Sequence, residues 1–176
     1  DSVGPTVGWV TALTPRFTAK LTGGVQKSWQ AATATADASS QWNYIFSADL
    51  GFKGQQDTTD FTATRSQYPF SNGTETLLTE FELTEKHDIN SKLSLNAAGN
   101  YQFAKSPPVS SGINLDKEFG GSAGAAYHVT EHSDLTANYQ YRNETLTGVE
   151  GNIPDHVVMI GIAYHPFTAT QLNHDD

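Results

Sequence analysis

The chain of 176 residues has no cysteine and a single methionine. A disulfide framework, a thiolate zinc site and a catalytic thiol are therefore excluded. Basic residues are scarce, with 10 Lys and Arg against 19 Asp and Glu for a formal charge of −9. That balance argues against a nucleic-acid partner, which needs a basic stripe. Long apolar runs are missing too. The longest is Val157–Tyr164, well short of the ~20 residues of a membrane helix. Asp1 opens the chain without a basic-plus-apolar leader, so a signal peptide is expected to be absent or already removed. What is present in abundance is 21 Thr, 15 Gly and 19 aromatic residues. With no stretch of helical periodicity, this composition describes an all-β chain of a size for one domain.

Alternation at period two runs almost throughout. Between Trp42 and Lys53, the residues Trp42, Tyr44, Phe46, Ala48, Leu50 and Phe52 fall on one side, and Asn43, Ser47, Asp49 and Lys53 on the other. Successive side chains of a strand point to opposite faces, so this is a strand with one apolar and one polar side. The same reading applies to the segments around Phe17–Gln26, Leu77–Thr84, Leu93–Phe103, Phe119–Thr130, Leu135–Arg142 and Val158–His165. One segment is poorer: Phe61 and Ala63 share a side with Arg65 and Gln67, which predicts a bulge or an early exit from the apolar zone. Val7–Leu13 reads as a further strand or an irregular segment.

The connections alternate in length. Short ones fall near 14–16, 55–59, 86–91 and 131–134, and longer polar ones near 30–40, 69–75, 104–118 and 146–155. This is an antiparallel up-and-down meander with short turns at one end and long loops at the other. Leu13-Thr14-Pro15-Arg16, Leu83-Thr84-Glu85-Lys86 and Val129-Thr130-Glu131-His132 read as one recurring unit where a strand enters a short turn. The expected organisation is an N-terminal segment or extra strand (1–13), a barrel domain (14–167) and a polar C-terminal tail (168–176).

Two architectures fit. A soluble ligand-binding barrel turns its aromatic face inward, whereas an outer-membrane barrel turns it to lipid around a polar interior. The polar sides are rich in Asn, Gln, Ser, Thr and Gly with a few charges: Lys20, Asp49, Lys53, Glu80, Glu82 and Arg142. A confined interior holds such groups by pairing and hydrogen-bonding them. Aromatics cluster toward both strand ends. Trp42, Tyr44, Tyr101, Phe103, Tyr139 and Tyr141 lie toward the long loops, and Phe17, Phe52, Tyr127 and Tyr164 toward the short turns. Around an aliphatic waist these form the two girdles of a membrane barrel, since amphipathic rings favour the headgroup region. Strands of roughly 9–12 residues suit a tilted crossing. The expected fold is an antiparallel up-and-down transmembrane β-barrel of about eight strands, with nine as the alternative for part of a larger barrel.

The Leu-Thr-Pro-Arg strand end followed by alternation through Leu21, and the run Ala126-Tyr127-His128-Val129-Thr130-Glu131 leading to Leu135–Tyr141, resemble bacterial outer-membrane β-barrel proteins, in particular the β-barrel porin type 2 group. Gly161 three residues before Tyr164 is similar to an assembly signal, although Pro166 and Phe167 interrupt the final alternation. The resemblance implies the bacterial outer membrane, lipid as surroundings, and a non-enzymatic scaffold, anchor or small porin. Members of that group are usually longer. The odd strand therefore leaves three alternatives: a non-spanning 1–13, the C-terminal portion of a larger barrel, or a wall assembled as a homo-oligomer or within a larger membrane complex.

No catalytic group emerges: there is no Gly-x-Ser-x-Gly, and no spacing fixes a Ser, His and Asp together. His128 and His132 near Glu131 and Asp134 read as ordinary turn residues, because the spacing does not enforce convergent metal ligation. No metal and no cofactor are expected.

Overall fold

The structure, a computed structural model, describes residues 2–30, 39–69, 75–105, 115–146 and 150–164. Ten strands make one antiparallel sheet: β1 (Ser2–Val3), β2 (Thr6–Thr14), β3 (Phe17–Gln30), β4 (Ser39–Lys53), β5 (Asp57–Pro69), β6 (Glu75–Asp88), β7 (Leu93–Lys105), β8 (Leu115–Thr130), β9 (Ser133–Leu146) and β10 (Asn152–Tyr164). Each strand from β3 to β9 pairs with its predecessor and successor in the chain, β10 pairs with β9, and both β1 and β2 pair with β3. The sheet is thus nine strands wide, with β1 and β2 sharing one edge across the break at Gly4 and Pro5. Proline has no N–H for the ladder, which accounts for the interruption. Val7–Leu13 lies within β2, in regular register with β3 as far as Ala12 and with a register shift between Ala12 and Thr14, so a ninth strand is present as the nine-strand alternative requires. Among the described residues, neither edge of the sheet has a partner strand.

The long connections and the C-terminal tail lie largely outside the described residues. The short turns are well defined. Thr14 Oγ1 accepts from Arg16 N–H at 3.3 Å and Thr130 Oγ1 from His132 N–H at 3.2 Å. The first and third members of the recurring unit therefore close their turns by the same threonine bond. The second does not: Leu83–Lys86 runs inside β6. Its hairpin closes later, where Asn90 Oδ1 accepts from Lys92 and Leu93 N–H at 2.8 and 3.0 Å. A turn is set by the residues that can cap it, and Asn90 outcompetes Thr84.

Strands β3 to β10 run 13–16 residues, longer than the apolar zones alone imply, because pairing continues into segments polar on both sides. The Phe61–Gln67 stretch does not bulge. Its register with β6 is unbroken, while its pairing with β4 ends at Arg65, which opposes Phe46 and Thr79 on the apolar face.

Only Ala19, Ala63 and Leu77 are buried apolar residues among those described, and no large side chain is fully buried. A soluble sandwich or barrel packs its aromatics together. Here the apolar face is open, with Trp42 65 % and Ile160 76 % exposed.

Candidate functional site

Residues directly opposed across an antiparallel pair share a face, so the register sorts every side chain. One row on the polar face runs Lys20, Asp49, Thr62, Glu82, Asn100, Gly120, Arg142, Asp155 from β3 to β10. The next row runs Thr64, Glu80, Gln102, Glu118, Glu144 from β5 to β9. Lys53 stands on the same face nearer the short turns, opposite Thr58.

Glutamates dominate the centre. Glu80 accepts from Thr64 Oγ1 at 3.3 Å, and Glu118 accepts from Gln102 Nε2 at 2.8 Å and Asn100 Nδ2 at 3.4 Å. Glu118 directly opposes Glu144, a like-charge juxtaposition that costs stability unless a cation intervenes. Arg142 is that cation, 3.1 Å from Glu144 and 3.5 Å from Asp155. Lys20 and Asp49 are 3.9 Å apart and both well exposed, a geometry that contributes little.

Room for these side chains comes from β8, whose polar side reads Gly120, Ser122, Gly124, Ala126. A Cβ on Gly120 would come within 2.6 Å of Asn100 Oδ1, and one on Gly124 would collide with the amide oxygens of Asn96 and Asn138. Glycine at these two positions lets neighbouring asparagines lie flat across the strand.

Three cavities open on this face. The first, about 440 Å³, is lined by Thr62, Glu80, Glu82, Asn100, Ser122 and Gln140 among others, so residues from β5 through β9 converge on one space. The second, about 450 Å³, lies beside Thr22, Ser47, Thr64 and Glu80, and the third, about 320 Å³, beside Lys20, Asp49 and Asp60. Convergence of side chains from five adjacent strands marks this face as the concave one.

The opposite face carries the aromatics. Phe17 opposes Phe52 near the short turns, with Tyr127 and Tyr164 in the short-turn parts of β8 and β10. Toward the long connections lie Trp42 and Tyr44, Tyr101 and Phe103 with ring centroids 5.9 Å apart, and Phe119 and Tyr141 at 5.8 Å. Tyr139 sits at the middle of β9 and hydrogen-bonds His156 Nδ1 at 2.8 Å. The register keeps Arg65 on the aromatic face and adds residues that alternation alone did not single out: Asp60, Glu118, Glu144 and Asp155 on the polar face, and Lys27, Lys105 and Lys117 on the aromatic one. The alternating pattern extends into their segments, but no apolar neighbours flag it there.

Histidines pair with single carboxylates, His87 with Asp57 and His128 with Asp134, each at 2.5 Å. Among the described residues, no group of three or more His, Asp or Glu is arranged to hold a metal.

No curated protein and no solved structure matches this chain. The family described as putative β-barrel porin 2 matches residues 8–165, nearly the whole length. A nine-strand antiparallel meander with one concave polar face and one aromatic face is the wall such a barrel needs, and the chain belongs to this porin family.

Proposed function

We propose that the chain forms wall of a porin in the bacterial outer membrane, with its concave polar face lining an aqueous passage and its aromatic face in lipid. The observation that carries this reading is the pairing of cavities on the polar side with an unburied apolar side. In water that apolar surface would be an aggregation liability; in hydrocarbon it is the solvated side. The open sheet supports a passage rather than a filled plug, since an eight-stranded barrel has an interior just wide enough for side chains. A sheet nine strands wide with no partner for either edge among the described residues favours a wider wall.

The charge on that face sets the selectivity. Glu80, Glu82, Glu118 and Glu144 outnumber the neighbouring cation Arg142, so small cations are favoured over anions. Planar-bilayer recording of the full chain under a salt gradient tests this. Current steps with a reversal potential of cation-selective sign are expected, with weaker selectivity in the Glu80→Gln/Glu82→Gln double variant. Absence of current steps, or anion preference untouched by the substitutions, overturns it.

A further inference from the structure

We infer that the aromatic face carries, at its long-loop end, a basic belt that binds phosphate-bearing anionic lipid headgroups of the surrounding leaflet. This rests on the orientation given under Proposed function and adds a lipid preference to it. The belt consists of Lys27, Arg65, Lys105 and Lys117. Lys105 is the last residue of β7, Lys117 the third of β8, and Lys27 and Arg65 lie in the long-connection parts of β3 and β5.

The distribution of charge between the two faces is the first reason. The row Thr64, Glu80, Gln102, Glu118, Glu144 faces the concave side, and the adjacent row Arg65, Thr79, Phe103, Lys117, Thr145 faces outward. At one height, acids line the inside and bases the outside of an acidic chain. The carboxylates with described side chains that the register puts on the aromatic face, Asp57 and Glu85, belong to the short-turn half. The second reason is pairing. Lys20, Lys86 and Arg142 have carboxylate partners within 4 Å, whereas no described carboxylate pairs with any of the four belt residues.

The third reason is the setting of Lys27 and Arg65 among interfacial rings. Lys27 Nζ lies 5.6 Å from the Trp29 ring centroid and 5.7 Å from that of Trp42. The Arg65 guanidinium stacks 4.2 Å from the Tyr44 ring, two residues nearer the long connections than its register partner Phe46. It therefore leans toward the headgroups, as a snorkelling arginine does. One of its terminal nitrogens donates to Thr79 Oγ1 at 3.0 Å, while its Nε is buried without a partner. Cations stacked on rings at the level where headgroups lie attract phosphate.

Tryptophan quenching by brominated lipids tests the belt. The full chain with Trp9→Phe and Trp29→Phe, leaving Trp42 as reporter, is reconstituted in mixed phosphatidylcholine and phosphatidylglycerol vesicles. One or the other lipid is brominated. Brominated phosphatidylglycerol is expected to quench more strongly at equal mole fraction in low salt, by up to about fivefold in relative affinity for an engaged cation. The preference disappears at high salt and in the Lys27→Gln/Arg65→Gln/Lys105→Gln/Lys117→Gln variant, but survives in Lys53→Gln/Lys92→Gln. Equal quenching by both lipids in the unsubstituted belt overturns the inference and leaves the orientation standing. Retention of the preference in the four-fold variant overturns it as well. Quenching by neither lipid overturns the orientation, and the belt with it.

Discussion

A charge placed at mid-wall should cost several kilocalories on one face and almost nothing on the other, one residue away. Ala123 is the ninth of sixteen residues in β8 and lies on the aromatic face between Ala97 and Tyr139. Its neighbour Ser122 lies on the polar face between Ala98 and Gln140 and lines the polar-side cavity shared by β5 through β9. At roughly 3.3 Å per residue and a tilt of about 40°, seven or eight residues put Ala123 about 18–20 Å from either end of its strand. An arginine there cannot reach either headgroup region, so Ala123→Arg should destabilise by about 2–4 kcal/mol. That corresponds to about 30- to 900-fold in the folding equilibrium. Ser122→Arg meets water and acceptors instead, and a surface substitution of this kind stays within about 0.5 kcal/mol. Denaturant titration of the two variants in phospholipid bilayers, followed by heat-modifiable gel mobility, measures the difference directly. Equal costs at the two positions, or the larger cost at Ser122, would refute the assignment of faces.

Two further outcomes follow from the polar face. Gly124→Val drives a side chain into the amide oxygens of Asn96 and Asn138 and should destabilise by about 1–3 kcal/mol. By contrast Gly99→Ala, on the aromatic face where a Cβ meets open space, should be close to neutral in the same titration. Glu118→Gln removes the direct opposition to Glu144 and should raise stability by about 0.2–1 kcal/mol. That gain should shrink in high salt, where the repulsion is already screened; a loss of stability would show that the hydrogen bonds from Gln102 and Asn100 outweigh it.

The strands were legible in the sequence because an amphipathic strand writes its two faces as alternation. Trp42–Lys53 reads as a strand from its residues alone and forms most of β4. What alternation conveys is contrast between faces, and the contrast fades at the strand ends. Beyond Phe103 and before Phe119 the sequence keeps no regular alternation of apolar and polar residues, so the true limits of β7 and β8 and the outward direction of Lys105 and Lys117 carried no signal. Register is also unwritten: nothing local says that Glu118 faces Glu144, since that pairing lies at the far end of the β8–β9 hairpin from its short turn, beyond a register shift between His128 and Thr130. Turn chemistry misled once, at Thr84, where the strand-ending motif occurs inside a strand whose real cap is Asn90. Arg65 was visible as an oddity on an apolar side. Only the contact with Tyr44 gives it a purpose.

The unpaired margins of the sheet have a consequence for how the wall is completed. Eight antiparallel steps separate β2 from β10, so the two outermost strands point the same way. Joined directly, they would make a single parallel seam in an otherwise alternating ring. Every closure that preserves alternation inserts one, three or some other odd number of strands between them. A ring so completed has an even total, the arithmetic that bacterial barrels obey.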